Sequence, residues 1–226
     1  MTDNNNNQED SNLPLLQVRG VTHDFDYPLF EDINLSLYKG ESIAIIGISG
    51  SGKSTLLNIF STLLIPNEGE VYYNKKNIFT ISNKELLEIR RNDFGIIFQA
   101  HYLFRGFNAT ENLKISTLLS ENTIDESLLN ALNIKHIMKQ GIGELSGGQQ
   151  QRLSCARVLV KKPKIIFADE PTGNLDTQTA SELMDILFNY VKKNNAGLIM
   201  VTHENEIANK CDKVYKLNKC KLEQIK

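Results

Sequence analysis

Gly47-Ile48-Ser49-Gly50-Ser51-Gly52-Lys53-Ser54-Thr55 spaces two glycines, a lysine and a hydroxyl as a loop that holds phosphate needs them. Glycines let backbone N–H groups converge on phosphate oxygens with no Cβ in the way. Lys53 is long enough to reach β- and γ-phosphates, and Ser54 offers its hydroxyl to Mg²⁺. The chemistry this loop offers is the binding of a nucleoside triphosphate.

Two further groups could act on such a ligand. Asp169 and Glu170 follow the apolar run Ile165-Ile166-Phe167-Ala168, and open α/β sheets bind ligands at the C-terminal ends of such strands. Asp169 is expected to help hold Mg²⁺, directly or through water, and Glu170 to orient or deprotonate an attacking water. Leu145-Ser146-Gly147-Gly148-Gln149 places a serine and glycines at the expected start of a helix, where backbone N–H groups favour a second anion.

These residues need elements to position them. Ser42-Ile43-Ala44-Ile45-Ile46 reads as a buried strand entering the loop. Leu56, Leu57, Phe60, Leu63 and Leu64 fall at helical spacing behind it, so a helix should open at Lys53 and end at Pro66-Asn67-Glu68-Gly69. Strands are expected over Leu15 to Phe25, Ile33 to Tyr38, Glu70 to Tyr73, Gly95 to Phe98, Ile165 to Ala168 and Leu198 to Val201. Ser82-x-x-Glu85 predicts a capped helix running to about Arg91. The stretch 100–144 lacks strand-like alternation, carries a capping-box pattern at Thr123-x-x-Glu126, and has Leu128, Leu129 and Leu132 at helical spacing. It reads as a helical subdomain inserted into an α/β core. Helices are also expected from Arg152 to Val160 and around Leu183 to Val191.

With 226 residues, 41% hydrophobic and a net charge of −2, the chain suits one domain and gives no support for bulk nucleic-acid binding. No run of about 18 apolar residues is present, so direct membrane insertion is not expected. Residues 1–13 have no signal pattern and read as a disordered tail. Cys155, Cys211 and Cys220 are scattered and odd in number, which fits reduced thiols rather than a disulfide frame or zinc site.

Taken in order, these motifs resemble the ATP-binding cassette (ABC) family across nearly all of residues 15–222. Gly47 to Thr55 looks like its Walker A loop, Leu145 to Gln149 like its signature, and Ile165 to Glu170 like its Walker B strand. Gln99 is similar to the Q-loop glutamine that touches Mg²⁺, Asn174-Leu175-Asp176 to the D-loop, and His203 to the switch histidine that contacts the γ-phosphate. Phe25 stands where these proteins stack an aromatic on adenine, with Tyr27 as a rival.

The resemblance implies an α/β fold: a P-loop NTPase core of ABC type with an N-terminal antiparallel β-subdomain and the inserted helical subdomain. Residues 14–226 would form a single ABC ATPase domain, with 14–99 and 145–226 as core. It implies ATP and Mg²⁺ as cofactors and Glu170 and His203 as catalytic residues. Ser54, Gln99 and Asp169 would meet the metal. Phe25, Gly47, Ser49, Gly50, Ser51, Gly52, Lys53, Ser54, Thr55, Gln99, Ser146, Gly147, Gly148, Gln149 and Asp169 would meet nucleotide. A second copy would pair head to tail in the ATP-bound state, so that Ser146 and Gly148 of one subunit face the phosphate held by Lys53 of the other.

Asp169 to Asp176 further resembles a subgroup containing lipoprotein-releasing LolD ATPases, MacB efflux pumps and the divisome protein FtsE. Gln99 to Asn112 looks most like the LolD version, although Gln99 to Leu145 is several residues shorter. The implied function is ATP hydrolysis coupled to extraction or export of lipoprotein, with FtsE-like regulation of division or MacB-like efflux as alternatives. The implied partners are integral membrane permease subunits that hold the chain, peripherally, at the cytoplasmic face of a bacterial inner membrane. A soluble nucleic-acid or ribosome cassette is disfavoured by the single cassette, the charge of −2 and the scattered cysteines.

Overall fold

A computed structural model describes residues 13–173 and 175–226. The expected N-terminal tail, apart from Leu13, and Asn174 of the D-loop pattern lie outside the described residues.

The chain first lays down β1 (Leu16–Asp24), β2 (Pro28–Leu37) and, later, β4 (Glu68–Tyr73) and β5 (Lys76–Asn77), which pair antiparallel in the order β2-β1-β4-β5. A second sheet takes β3 (Ser42–Ile46), β6 (Phe94–Ile97), β7 (Ile165–Asp169), β8 (Gly197–Val201), β9 (Lys213–Asn218) and β10 (Lys221–Gln224) in the order β10-β9-β3-β8-β7-β6. Its strands run parallel except for β10, which turns back on β9.

The near-continuous apolar runs of β3, β7 and β8 follow from burial on both faces. Ile43, Ile45, Ile165, Phe167, Ile199 and Val201 face one cluster, shared with α1 (Lys53–Phe60) and the antiparallel sheet. The alternate residues Ala44, Ile166, Ala168, Leu198 and Met200 face another. That cluster also takes side chains from α3 (Ala109–Ser120), α5 (Gly147–Leu159) and α6 (Thr177–Asn194). A period of two along each strand therefore builds two cores around one sheet.

The helices carry legible ends. Asp176 accepts from the Thr179 N–H at 3.0 Å to open α6, and Lys192 and Lys193 sit in its last turn, where the helix dipole favours cations. Ser82 accepts from the Glu85 N–H to open α2 (Asn83–Glu88), which runs on through a π-helical turn, Ile89–Asp93. α3 opens on a full capping box between Asn108 and Glu111.

Two expectations need correction. α1 ends at Phe60, not at Pro66, because Arg90 donates to the hydroxyl and carbonyl oxygens of Thr62 and holds that residue at φ 69°. Thr123 does not cap a helix; Asp125 does, accepting from the Ser127 N–H at 2.8 Å and opening α4 (Glu126–Ala131). The helix expected to start at Ser146 and its glycines does so: α5 begins at Gly147 with Ser146 as its N-cap.

Cys155 and Cys211 are buried, and burial pushes both thiols up to about 12. Cys220 is half-buried in the β9–β10 turn. A thiol reagent such as Ellman's should therefore titrate Cys220 alone in the native protein, and all 3 cysteines after denaturation. Rapid native reaction of more than one thiol would contradict this packing.

Candidate functional site

The C-terminal ends of β3, β8 and β7 lie side by side, with Ile45 opposite Val201 and Val201 opposite Asp169. Each strand releases one group at this edge: the loop 47–52 from β3, Asp169 and Glu170 from β7, and His203 from β8. β6 adds Gln99 beside them, since Ile97 pairs with Ala168.

The loop after β3 is shaped by its glycines. Gly52 has φ 94°, a left-handed conformation that favours glycine, and serves as N-cap of α1. A Cβ on Gly47 would come within 2.7 Å of the Leu217 carbonyl oxygen and 2.9 Å of Ser51 Oγ, so no larger residue fits there. Lys53 is buried to 8% exposure, and its ammonium donates to the carbonyls of Gly47 (3.0 Å) and Ile48 (2.9 Å). Its charge thus sits within the arc of the loop. Ser51 Oγ, also in the arc, is buried and has no hydrogen-bond partner among the described residues, a polar group left for a ligand. Ser49 is exposed and Thr55 half-buried in the first turn of α1.

Ser54 Oγ donates to Asp169 Oδ1 at 3.0 Å, so the two oxygens expected on Mg²⁺ are already adjacent. Burial raises the Asp169 carboxyl above its ordinary range, and Glu170 adds to this, while Ser54 and Lys53 oppose it. The donor set fits Mg²⁺, which takes one or two hard protein oxygens and keeps waters and phosphate oxygens for the rest. Gln99 is exposed at the same edge and, among the described residues, makes no hydrogen bond to this pair.

Glu170 stands just past β7 with φ 46°, an uncommon conformation for a residue with a side chain, and its N–H bonds the Val201 carbonyl at 3.0 Å. His203 Nδ1 lies 2.9 Å from Glu170 Oε2. The ring N–H is not aimed at that oxygen as a directed hydrogen bond requires, so the contact is best read as a close approach of charge. Contact with Glu170, and then its charge, raises the His203 pKa above the ordinary 6.5. His203 itself is exposed, at 68% of its side-chain surface.

Sequence reasoning missed the residues that hold this histidine turn. Thr172 donates to Glu204 Oε1 at 2.6 Å, and the Glu204 N–H donates to Thr202 Oγ1 at 3.0 Å. Those bonds tie the segment after Glu170 to the segment after β8. Nothing in their spacing signals it, because the partners are separated by 32 residues.

Ser146 and Gln149 lie at the start of α5 and bond each other: Ser146 Oγ accepts from the Gln149 N–H at 3.2 Å, and Gln149 Oε1 accepts from the Ser146 N–H at 2.9 Å. Ser146 and Gly147 are exposed, and Gly148 packs near Leu175. The signature thus faces outward, on a helix separate from the loop of Lys53. Phe25 and Tyr27 are both exposed, at 59% and 61%, in the β1–β2 turn.

The family model described as ABC transporter matches residues 30–173. The lipoprotein-releasing system ATP-binding protein LolD of Rickettsia bellii is 43% identical over 84% of this chain and 86% of its own length. The protein of the same name from Treponema denticola is 39% identical over 93% of this chain and 98% of its own. Among solved structures, the ATP-binding cassette MJ0796, a dimer in a post-hydrolysis state bound to ADP and Pi, superposes with a TM-score of 0.84 at 29% identity, covering 93% of this chain and 99% of that one. With the phosphate loop, the paired acids and the histidine on one sheet edge, this chain belongs to the ABC transporter family as one of its ATPases.

Proposed function

We propose that this chain is the ATP-hydrolysing subunit of a transporter that releases lipoprotein from a membrane. Similarity to LolD proteins over nearly their whole length carries the reading. ATP and Mg²⁺ enter the edge formed by β3, β7 and β8. Lys53 and the loop N–H groups hold the phosphates, and Ser54 and Asp169, with Gln99, hold the metal. Phe25 stacks on adenine. Glu170 takes the proton of the attacking water, and His203, 2.9 Å from it, contacts the γ-phosphate. Ser146, Gly147, Gly148 and Gln149 act in trans, meeting the nucleotide of a second copy when ATP closes the dimer.

The permease docks on residues 100–107 of the helical subdomain. Tyr102, Phe104 and Phe107 are exposed there, yet their backbone is firmly held. Buried Asn112 bonds both the N–H and the carbonyl of Phe104, and Arg157 donates to the carbonyls of His101 and Tyr102. Among the described residues no helix is long and apolar enough to cross a membrane. Association is peripheral, at the cytoplasmic face of a bacterial inner membrane.

Affinity purification from membranes tests the assignment. A lipoprotein-releasing permease should copurify, and recovery of a division permease or an efflux protein instead would sink it. Phe104→Glu with Phe107→Glu should remove permease-stimulated hydrolysis and leave ATP affinity within about twofold, because neither ring is core. Equal loss of both would place these rings in the structural core rather than at the contact.

A further inference from the structure

His23 is a polar side chain that makes no polar contact among the described residues. It is buried to 5% exposure, and neither ring nitrogen has a hydrogen-bond partner among them. Leaving a buried donor or acceptor unmade costs stability, so hydrogen bonding does not explain this ring. Its aromatic contacts are specific. The ring meets Phe25 edge to face, with centroids 4.9 Å apart at 89°, and lies over Phe30 at 6.2 Å and 29°. His23 and Phe30 are also direct partners across the β1–β2 pair.

The arrangement continues into the phosphate loop. Phe30 is fully buried, and a Cβ built on Gly52 would stand 3.2 Å from its ring. Phe25, His23, Phe30 and Gly52 therefore form one packed row from the β1–β2 turn to the start of α1. The register of β1 sets it up. Irregularities between Val18 and Val21 and on either side of His23 shift the alternation, so that Val21 and His23 are buried and Phe25 follows in the turn, against the His23 ring. One side of Phe25 is backed by His23 while 59% of the residue is open. Tyr27 is equally open and has no aromatic neighbour among the described residues.

We propose that His23 is a positioning residue for the nucleotide base: its ring fixes Phe25 as the stacking platform and ties that platform, through Phe30, to the phosphate loop. The proposal rests on the reading of Phe25 given above and chooses it over Tyr27. His23 touches no substrate; it acts through Phe25.

The chain contains no tryptophan, so Phe25→Trp and Tyr27→Trp each install a single tryptophan that can be excited apart from the tyrosines. ATP should quench the first strongly and the second little. His23→Leu should weaken ATP binding about tenfold, the scale of one base–aromatic stack, and leave inorganic tripolyphosphate binding within about twofold. His23→Phe, which keeps an aromatic edge against Phe25, should retain ATP affinity. Titration calorimetry reads both ligands, and thermal melts confirm that each variant is folded. Equal weakening of ATP and tripolyphosphate by His23→Leu, no weakening by it, or failure of His23→Phe to retain affinity would each overturn the positioning role. Unchanged ATP affinity in Phe25→Ala would instead sink the platform reading itself, a result that the His23 variants alone do not produce.

Discussion

Glu170→Gln should bind ATP as the unsubstituted chain does and hydrolyse it about 10²–10⁴ times more slowly, the usual contribution of a positioned general base. The amide keeps the shape of the side chain but cannot take the proton of water. Lys53, Ser54 and Asp169 are untouched, so the triphosphate stays held, and a negative charge beside it is removed. ATP should then accumulate between two copies and convert monomer to dimer, read by size-exclusion chromatography with light scattering. Ser146→Arg in the same background should abolish that dimer, because the exposed N-terminus of α5 would carry a bulky side chain. Ser146 also caps α5, and losing a cap costs about 1 kcal/mol, so thermal melts must show the double variant folded. The same substitution has a spectroscopic signature. Glu170 raises the His203 pKa, so the imidazole proton resonances should titrate at lower pH in Glu170→Gln. The sign follows from linkage: a raised histidine favours the folded state below pH 6.5 and loses that effect as pH climbs through its folded value. Hydrolysis by Glu170→Gln at the unsubstituted rate would remove Glu170 from the chemistry.

Lys53→Ala should weaken ATP binding by at least about a hundredfold. Hydrogen bonds to a charged group contribute about 1.5–3 kcal/mol each, and this ammonium has more than one donor to offer phosphate. Its position adds a second effect. The Gly47 and Ile48 carbonyls now accept from Lys53 Nζ, and with alanine they lose the cation that holds the loop in its arc. ATP affinity by calorimetry should fall while the melting temperature stays near the original, since the loop lies outside both cores. ATP turnover close to normal would mean that another site does the work.

Much of the site was readable because its chemistry is local in sequence. Gly47 to Ser54 is one turn between a buried strand and a helix, and Asp169 and Glu170 end another buried strand. Meeting of these groups was readable only through family resemblance, since Ser54 and Asp169 are 115 residues apart. What could not be read depended on distant partners. Leu63 and Leu64 continue the helical period of α1, yet Arg90 reaches across from the π-helical turn and holds Thr62 out of the helix, which ends at Phe60. Thr123 and Asp125 are both acceptable caps, and only the bond to Ser127 decides between them. β9 and β10 went unread because lysines interrupt their apolar alternation at the margin of the sheet.

That margin governs how the free protein avoids sticking to itself. Unpaired strand edges invite other chains to extend a sheet, and this molecule leaves few such templates. β10 and β6 end the parallel sheet with only 4 residues each, and β5 ends the other sheet with 2. Among the described residues the one long edge, β2, is interrupted at Asp32, where φ is 49°, and is partly covered by the β9–β10 turn, whose Cys220 carbonyl accepts from the Glu31 N–H at 2.8 Å. Lys221 and Glu223 put charge on the remaining border. A cassette so bordered can wait in solution for its proper neighbours without polymerising through its sheets.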